Sequence, residues 1–499
     1  MREEQAQAPV FLFLLLAIAA AARFLLQISQ MPPYAGLDEI YHVARLAFVR
    51  EAGRNPRSNE PSIPIYLERS IRQESGQQPA FGVIGDRWPE VVASGARPAA
   101  VVPAELDRRP GSLTNYEAQH PSLYYTLAAY AAARGRSDLS DLRAWRLFSL
   151  PFAVIAALAI GWIGWRTSGR AGILAAAVFV TLPTWTTIVA KASNDALACA
   201  LMAIAFAISH AAPRRRAGWI LEGLAWAAAL AGKLYAWPLS AVLPFLWWKQ
   251  KAPRARWISV MSIGAAGFAL TVFDLYHRTG NPLGLFAFDR VADAAKPVAT
   301  DWATAFKTIV LTFAWTSGPH WNALTATGLA LFMLPLIVLA VIGVIRTPRS
   351  SLAIVWVTAL LFAFAQSVKF AAYLRSARVA GLSLPAGGKE GWYWYTLAPV
   401  FAGVLLAVIL RKRWIAVAFV AWVLLWDVML TENALFRDYR GVTSPAARSA
   451  LVRWGSSGRV GADMAIGPWS GGAIALRGIH VLALIAIVSL PQKERKAAG

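Results

Sequence analysis

The chain has 499 residues, 57% of them hydrophobic and only 15% charged, with a net charge of +22. A soluble domain carries about a quarter charged residues, so the composition favours a lipid bilayer as solvent. A single cysteine, Cys199, excludes an internal disulfide and with it a disulfide-built exported domain.

Many basic residues lie in short loops between apolar runs, where positive charge fixes membrane orientation. The charge therefore needs no nucleic-acid partner to explain it. The apolar runs are continuous rather than alternating, which predicts helices and not a barrel.

At the N-terminus, Pro9 to Ala22 has the length of a signal-peptide core, but Met1-Arg2-Glu3-Glu4 is not a basic leader. The apolar stretch also runs on to Ile28, which predicts an uncleaved first membrane helix. Further along the chain, the runs predict crossings at 9–29, 144–165, 171–190, 193–211, 217–231, 234–248, 257–273, 323–345, 351–370, 393–410, 414–430 and 473–490. Each approaches the length needed to cross a ~30 Å hydrocarbon core, and several are short. They are almost free of mid-span charge. The expected fold is an all-α polytopic bundle of about a dozen crossings.

Basic clusters at Arg166/Arg170, Arg214-Arg215-Arg216, Lys249 to Arg256, Arg346/Arg349, Arg411-Lys412-Arg413 and Lys493 to Lys496 are separated by even numbers of these crossings. All can therefore lie in the cytoplasm. The same parity makes His120 to Ala133 an interfacial or re-entrant helix, and Trp302 to Trp315 has that status too. The organisation that follows is a first helix at 1–29 and a large outer loop at 30–143 with surface helices. A core module at 144–273 comes next, then an outer loop at 274–322, helices over 323–430, an outer loop at 431–472, and a last helix with its tail at 473–499. Ile40 to Glu51 has the pattern of a helix lying on the membrane surface. No internal repeat supports an inverted-repeat transporter.

Three polar stretches fall on the outer side of this topology. Leu37-Asp38-Glu39-Ile40-Tyr41-His42 follows the first helix; Asp38 suits either an N-cap or a general base, with His42 one turn later. Tyr116-Glu117-Ala118-Gln119-His120-Pro121-Ser122-Leu123-Tyr124-Tyr125 joins a polar cluster to a proline-started helix, either an interfacial anchor or a binding segment. Lys191-Ala192-Ser193-Asn194-Asp195-Ala196 forms a turn between two helices, where Ser193 and Asn194 can cap and ionisable groups can act.

These three stretches carry a resemblance to the GT-C-type glycosyltransferases, polytopic enzymes that use polyprenyl-phosphate sugars. Within that clan the sequence is similar to a bacterial subfamily of predicted membrane proteins, related to the dolichyl-phosphate-mannose protein mannosyltransferases and aminoarabinose transferases. Such families show an Asp-Glu pair after the first helix, a His-Pro-Pro-Leu-Tyr-Tyr phrase and an Asn-Asp pair. Here Ser122 replaces the second proline, and in Gly391-Trp392-Tyr393-Trp394-Tyr395 the residue Trp392 replaces the arginine of a Gly-Arg-Tyr region. The likeness is best over 30–250.

The resemblance implies a sugar transferred from a polyprenyl phosphate to an acceptor hydroxyl on a glycan, lipid or protein. Transfer would occur at the outer face of a bacterial inner membrane. It gives Asp38 the part of catalytic base or acceptor-orienting acid, beside Glu39, and makes Asp195 a second acid that assists the site or a metal. The expected substrate-binding residues are His42, Glu117, His120, Tyr124 and Asn194; no family motif carries the phosphate contacts, and Lys191, Lys233, Arg375 and Arg378, with Lys369, are candidates by predicted position, each with an ordinary reading as a snorkelling residue at the membrane edge. The carboxylates suit Mg²⁺ or Mn²⁺, though no ligand spacing demands a metal. Rival readings are a transporter or flippase for lipid-linked sugars, a polymerase of lipid-linked units, and a non-catalytic assembly protein.

Overall fold

The computed structural model describes residues 2–30, 39–58, 60–65, 67, 110–131, 138–233, 236–281, a few positions between 334 and 345, 353–367, 391–438 and 471–490. Among these it is helical, without a β-strand; isolated bridges Pro61–Thr114 and Pro64–Pro110 lay the 61–64 segment antiparallel to 110–114.

The first helix, α1 (Arg2–Gln30), is followed by α2 (Glu39–Ala52), the short α3 (Leu123–Ala128) and the long α4 (Asp138–Ser168). Next come α5 (Arg170–Phe179), α6 (Pro183–Ala190), α7 (Asp195–Ala211) and α8 (Arg216–Gly232). The remainder are α9 (Leu243–Lys249), α10 (Arg254–Thr279), α11 (Ala353–Ser367), α12 (Trp394–Ile409), α13 (Arg413–Asp438) and α14 (Gly471–Ser489).

Among the described residues, four helical stretches are long and apolar enough to cross a membrane: Val10–Ser29, Asp141–Ser168, Arg254–Thr279 and Gly471–Ser489. A fifth arises if α5 and α6, bent by 72° across the break between Phe179 and Thr184, count as one span. The expected dozen is therefore met only in part among the described residues. The runs at 193–211 and 217–231 form 17-residue helices, and 234–248 breaks into Trp237–Ser240 and α9. The run at 393–410 holds a π-helical stretch at Phe401–Leu406 within α12. The 323–345 run lies outside the described residues except at a few positions.

Small residues let the helices approach. A Cβ placed on Gly172 of α5 would come within 1.9 Å of the Gly164 backbone in α4. Likewise, a Cβ on Gly267 of α10 would meet the Ala227 Cβ of α8 at 2.3 Å. Close backbone contact of this kind is the usual basis of helix association in lipid. Many large apolar side chains turn outward, among them Leu14, Leu224, Leu270, Phe273, Leu425 and Leu482. An apolar exterior over these helices is compatible with an integral membrane protein.

Mid-span charge is the main point on which the sequence reading does not hold. Arg23 of α1 is buried and ion-paired with Asp427 of α13, and it donates to Thr186 of α6 at 3.1 Å. Glu222 of α8 pairs with Arg256 of α10 at 2.8 Å and accepts from Trp247 at 3.0 Å. His480 of α14 bridges Thr181 and the Ala19 carbonyl at 3.1 and 2.9 Å. Each partner lies far away in sequence, so a hydropathy window sees one isolated charge diluted by apolar neighbours.

Two of the basic clusters expected on one face do meet. Arg411 donates to Ser168 and to the Thr167 carbonyl at 3.1 and 2.9 Å, joining the 166–170 and 411–413 turns. The polar stretches gather at the other end of the bundle, where α6, α8 and α10 finish and α7 begins.

Candidate functional site

The site is built around α2, whose residues 42–50 are all buried. Its apolar side chains Ile40, Val43, Leu46 and Ala47 pack on Tyr124, Tyr125, Trp145 and Leu197. Rather than lying on a membrane surface, α2 is an internal brace, because its arginines find partners inside the protein. Arg50 pairs with Asp141 at 2.6 Å. Arg45 lies 3.7 Å from the centre of the Tyr125 ring, bonds Asn55 Oδ1 at 2.7 Å, and donates to the Glu117 and His120 carbonyls.

Glu39, the first residue of α2, is fully buried. Both of its oxygens bond Arg146 of α4, at 2.8 and 2.6 Å, and Oε1 also accepts the Ala192 N–H at 2.9 Å. It ties the first polar stretch to the third.

His42, one turn along, joins the first stretch to the second. Its Nδ1 lies 2.6 Å from the Tyr125 hydroxyl and 3.0 Å from Glu117 Oε2. The Tyr125 hydroxyl donates to Glu117 Oε2 at 3.1 Å, and His120 Nε2 is 3.4 Å from the same oxygen. Asn115 fixes this loop from both sides: its amide donates to the Tyr41 carbonyl at 2.8 Å, and its Oδ1 caps the Glu117 N–H at 2.9 Å. Burial alone would raise the Glu117 carboxyl, but the imidazoles of His42 and His120 outweigh it and hold Glu117 well below the usual carboxylate range. Burial pushes His120 down to about 3. Burial and the neighbouring Glu117 keep Tyr125 protonated, well above its ordinary value.

The third stretch closes the cluster. Asp195, at the start of α7, accepts from Ser193 at 2.9 Å, is 3.0 Å from Lys191 Nζ, and is ion-paired with Lys233 at the end of α8. The Asn194 amide reaches the Gly232 carbonyl at 3.4 Å. Its buried Oδ1 has no hydrogen-bond partner among the described residues. Tyr124 faces Ser149 at 3.4 Å, and Ser149 in turn donates to the Lys191 carbonyl at 3.4 Å.

Thus Glu39, His42, Glu117, His120, Tyr124, Lys191, Asn194, Asp195 and Lys233 come together from three distant stretches. Asp38, Lys369, Arg375 and Arg378 lie outside the described residues. Sequence reasoning missed Arg45, Arg146 and Arg278. Arg278 in the last turn of α10 donates to the Ala118 and His120 carbonyls at 2.7 and 3.1 Å and binds Asp274 at 2.8 Å. Arg45 lies within an apolar pattern, Arg146 falls at the start of the crossing expected at 144–165, and Arg278 stands in the last turn of α10, where ordinary snorkelling is expected, so none was conspicuous.

Among the described residues no group of three His, Cys, Asp or Glu side chains is arranged to hold a metal ion. Glu39 and Asp195, the expected metal carboxylates, are held by Arg146 and by Lys191 and Lys233. A cavity beside Arg278 is lined by Arg54, Arg57, Ser58, Glu60, Arg278, Thr279 and Gly280. None of the residues expected from sequence lines it. No protein-family model matches the chain, and no curated protein matches it.

Proposed function

We infer that the protein transfers a sugar from a polyprenyl phosphate to an acceptor hydroxyl at the end of the bundle that holds this cluster. The observation that carries the reading is the meeting of the three polar stretches, through Glu39 on the Ala192 N–H and His42 on Glu117. Lys191 and Lys233 are suited to an anionic phosphate leaving group, with Asp195 holding them in place. The Oδ1 of Asn194, without a hydrogen-bond partner among the described residues, suits a hydroxyl donor such as a sugar. Asp38, immediately before α2, keeps the part of base or acceptor-orienting acid that the resemblance gives it. Glu39 positions rather than reacts, since both its oxygens are engaged. A phosphate leaves without prior protonation, so one proton acceptor suffices, and displacement at the anomeric carbon inverts it.

The full crossing number of about twelve, the bacterial inner membrane and an outward-facing site belong to the same proposal. Incubating purified protein with radiolabelled polyprenyl-phosphate sugars and candidate acceptors tests it. Label appearing covalently on acceptor is expected; label that only changes sides of a vesicle membrane contradicts it.

A second reading, a transporter of lipid-linked sugars, draws on the buried Arg23–Asp427 pair, because ion pairs inside spans mark substrate paths. That pair is covered by packed side chains on α1, α6 and α13, whereas the cluster concentrates reactive groups.

A further inference from the structure

We propose that His42 is the proton-accepting group of this cluster, held by Glu117 and Tyr125 so that its Nε2 carries the reactive lone pair. The inference rests on the sugar-transfer reading for its substrate, but not for its geometry.

Three polar atoms meet at Glu117 Oε2: Nδ1 of His42 at 3.0 Å, the Tyr125 hydroxyl at 3.1 Å and Nε2 of His120 at 3.4 Å. An ionised carboxylate only accepts. The donors converging on this oxygen suit the carboxylate form of Glu117, and burial keeps the single proton on Tyr125. The Tyr125 proton is given to Glu117, so the phenolic oxygen has only lone pairs to offer His42 at 2.6 Å. With the Tyr125 proton on Glu117, Nδ1 of His42 faces two acceptors and carries the ring proton, the tautomer that the 3.0 Å contact with the Glu117 carboxylate favours. The neutral imidazole then has its lone pair on Nε2. No hydrogen bond engages that atom among the described residues.

The surrounding charges support the role. Glu117 stabilises an imidazolium once a proton arrives, as an orienting carboxylate does behind a catalytic histidine. Asp195 interacts electrostatically with His42 from the start of α7. Lys233 from the end of α8 acts on Glu117 and His120, and Arg45 acts on His120 from α2 itself. His120 stacks beside His42 with ring centres 6.3 Å apart.

The step balances without a further reagent. The acceptor O–H bond breaks and an Nε2–H bond forms. The acceptor oxygen bonds the anomeric carbon, and the carbon–oxygen bond to phosphate breaks with its electron pair on the phosphate. The imidazolium later yields its proton to water. Asp38 then orients the acceptor hydroxyl instead of removing its proton.

The test uses full-length protein labelled with ¹⁵N-histidine in detergent micelles. With six histidines in the chain, the His42 signals are assigned by their loss in His42→Gln. The inference requires the Nδ1–H tautomer in wild type and its loss in Glu117→Gln or Tyr125→Phe. An Nε2–H tautomer in wild type, or one unchanged in both variants, overturns it. In the transfer assay the inference further requires that the acid limb of the pH–rate profile vanish in His42→Gln and persist in Asp38→Asn at reduced rate. A limb that survives in His42→Gln overturns it. If no donor turns over, the transfer reading fails by itself, and the tautomer still decides the geometry.

Discussion

Glu39 and Arg146 are 107 residues apart in sequence and meet as a bidentate pair with both side chains buried. Because Glu39 also accepts the Ala192 N–H, this one carboxylate fixes α2 to both α4 and the 191–195 turn. Arg146→Ala leaves an uncompensated buried carboxylate, and breaking a buried pair in this way costs about 3–5 kcal/mol. Thermal unfolding in detergent should show a marked loss for Arg146→Ala. A double-mutant cycle with Glu39→Gln should give a combined loss smaller than the sum of the two.

The lysine pair yields a kinetic expectation. With Lys233→Met, Asp195 keeps Lys191 at 3.0 Å, and with Lys191→Met it keeps Lys233, so either variant should fold. A hydrogen bond to a charged group contributes roughly 1.5–3 kcal/mol, so each variant should raise donor KM roughly 10- to 100-fold. Unchanged donor KM in both would remove the phosphate from this corner of the cluster.

Acid should destabilise the protein, and the sign follows from two shifts of the same sense. His120 titrates at about 3 in the fold against an ordinary 6.5, so the unfolded chain binds more protons between those values. Stability from neutral His120 is thus lost as pH falls below 6.5. Glu117 is depressed from 4.5, so its contribution is present above 4.5 and lost as pH falls further. Melting temperature measured from pH 8 to 4 should fall on the acid side, and His120→Gln should flatten the part between 6.5 and 4.5.

Arg23 and Asp427 separate the enzyme from the transporter. Asp427→Ala alone strands a buried guanidinium and should destabilise by about 3–5 kcal/mol, whereas Arg23→Met with Asp427→Leu should fold, as apolar replacements of buried pairs often do. Sugar transfer should persist in the double variant. Transfer lost from a folded double variant would give the transporter-like polar path the stronger claim.

Much of this site is visible in the linear sequence, because its members fall in three short phrases whose loop parity places them on one face. Glu39, His42, Glu117, His120, Lys191, Asn194 and Asp195 are legible in that way. What escapes is pairing. Arg146 gives no sign that it completes Glu39, because ion pairs between distant helices leave no local periodicity. The surface-helix reading of α2 fails for the same reason: Arg45 and Arg50 look solvent-facing until Glu117, Asn55 and Asp141 are seen around them. Helix type is read well where apolar runs are long, as in α1, α4, α10 and α14. It is read less well at 171–190 and 234–248, where prolines at 183, 238 and 244 divide the run.

The most direct measurement is transfer of radiolabel from a polyprenyl-phosphate sugar to acceptor by purified wild-type protein, run beside Asp38→Asn at matched melting temperature. The account predicts labelled acceptor from wild type and at least a hundredfold less from the variant, which is about the lower end of what a positioned acid–base group contributes. Equal labelling by both proteins, or label that crosses the membrane without joining any acceptor, would contradict it.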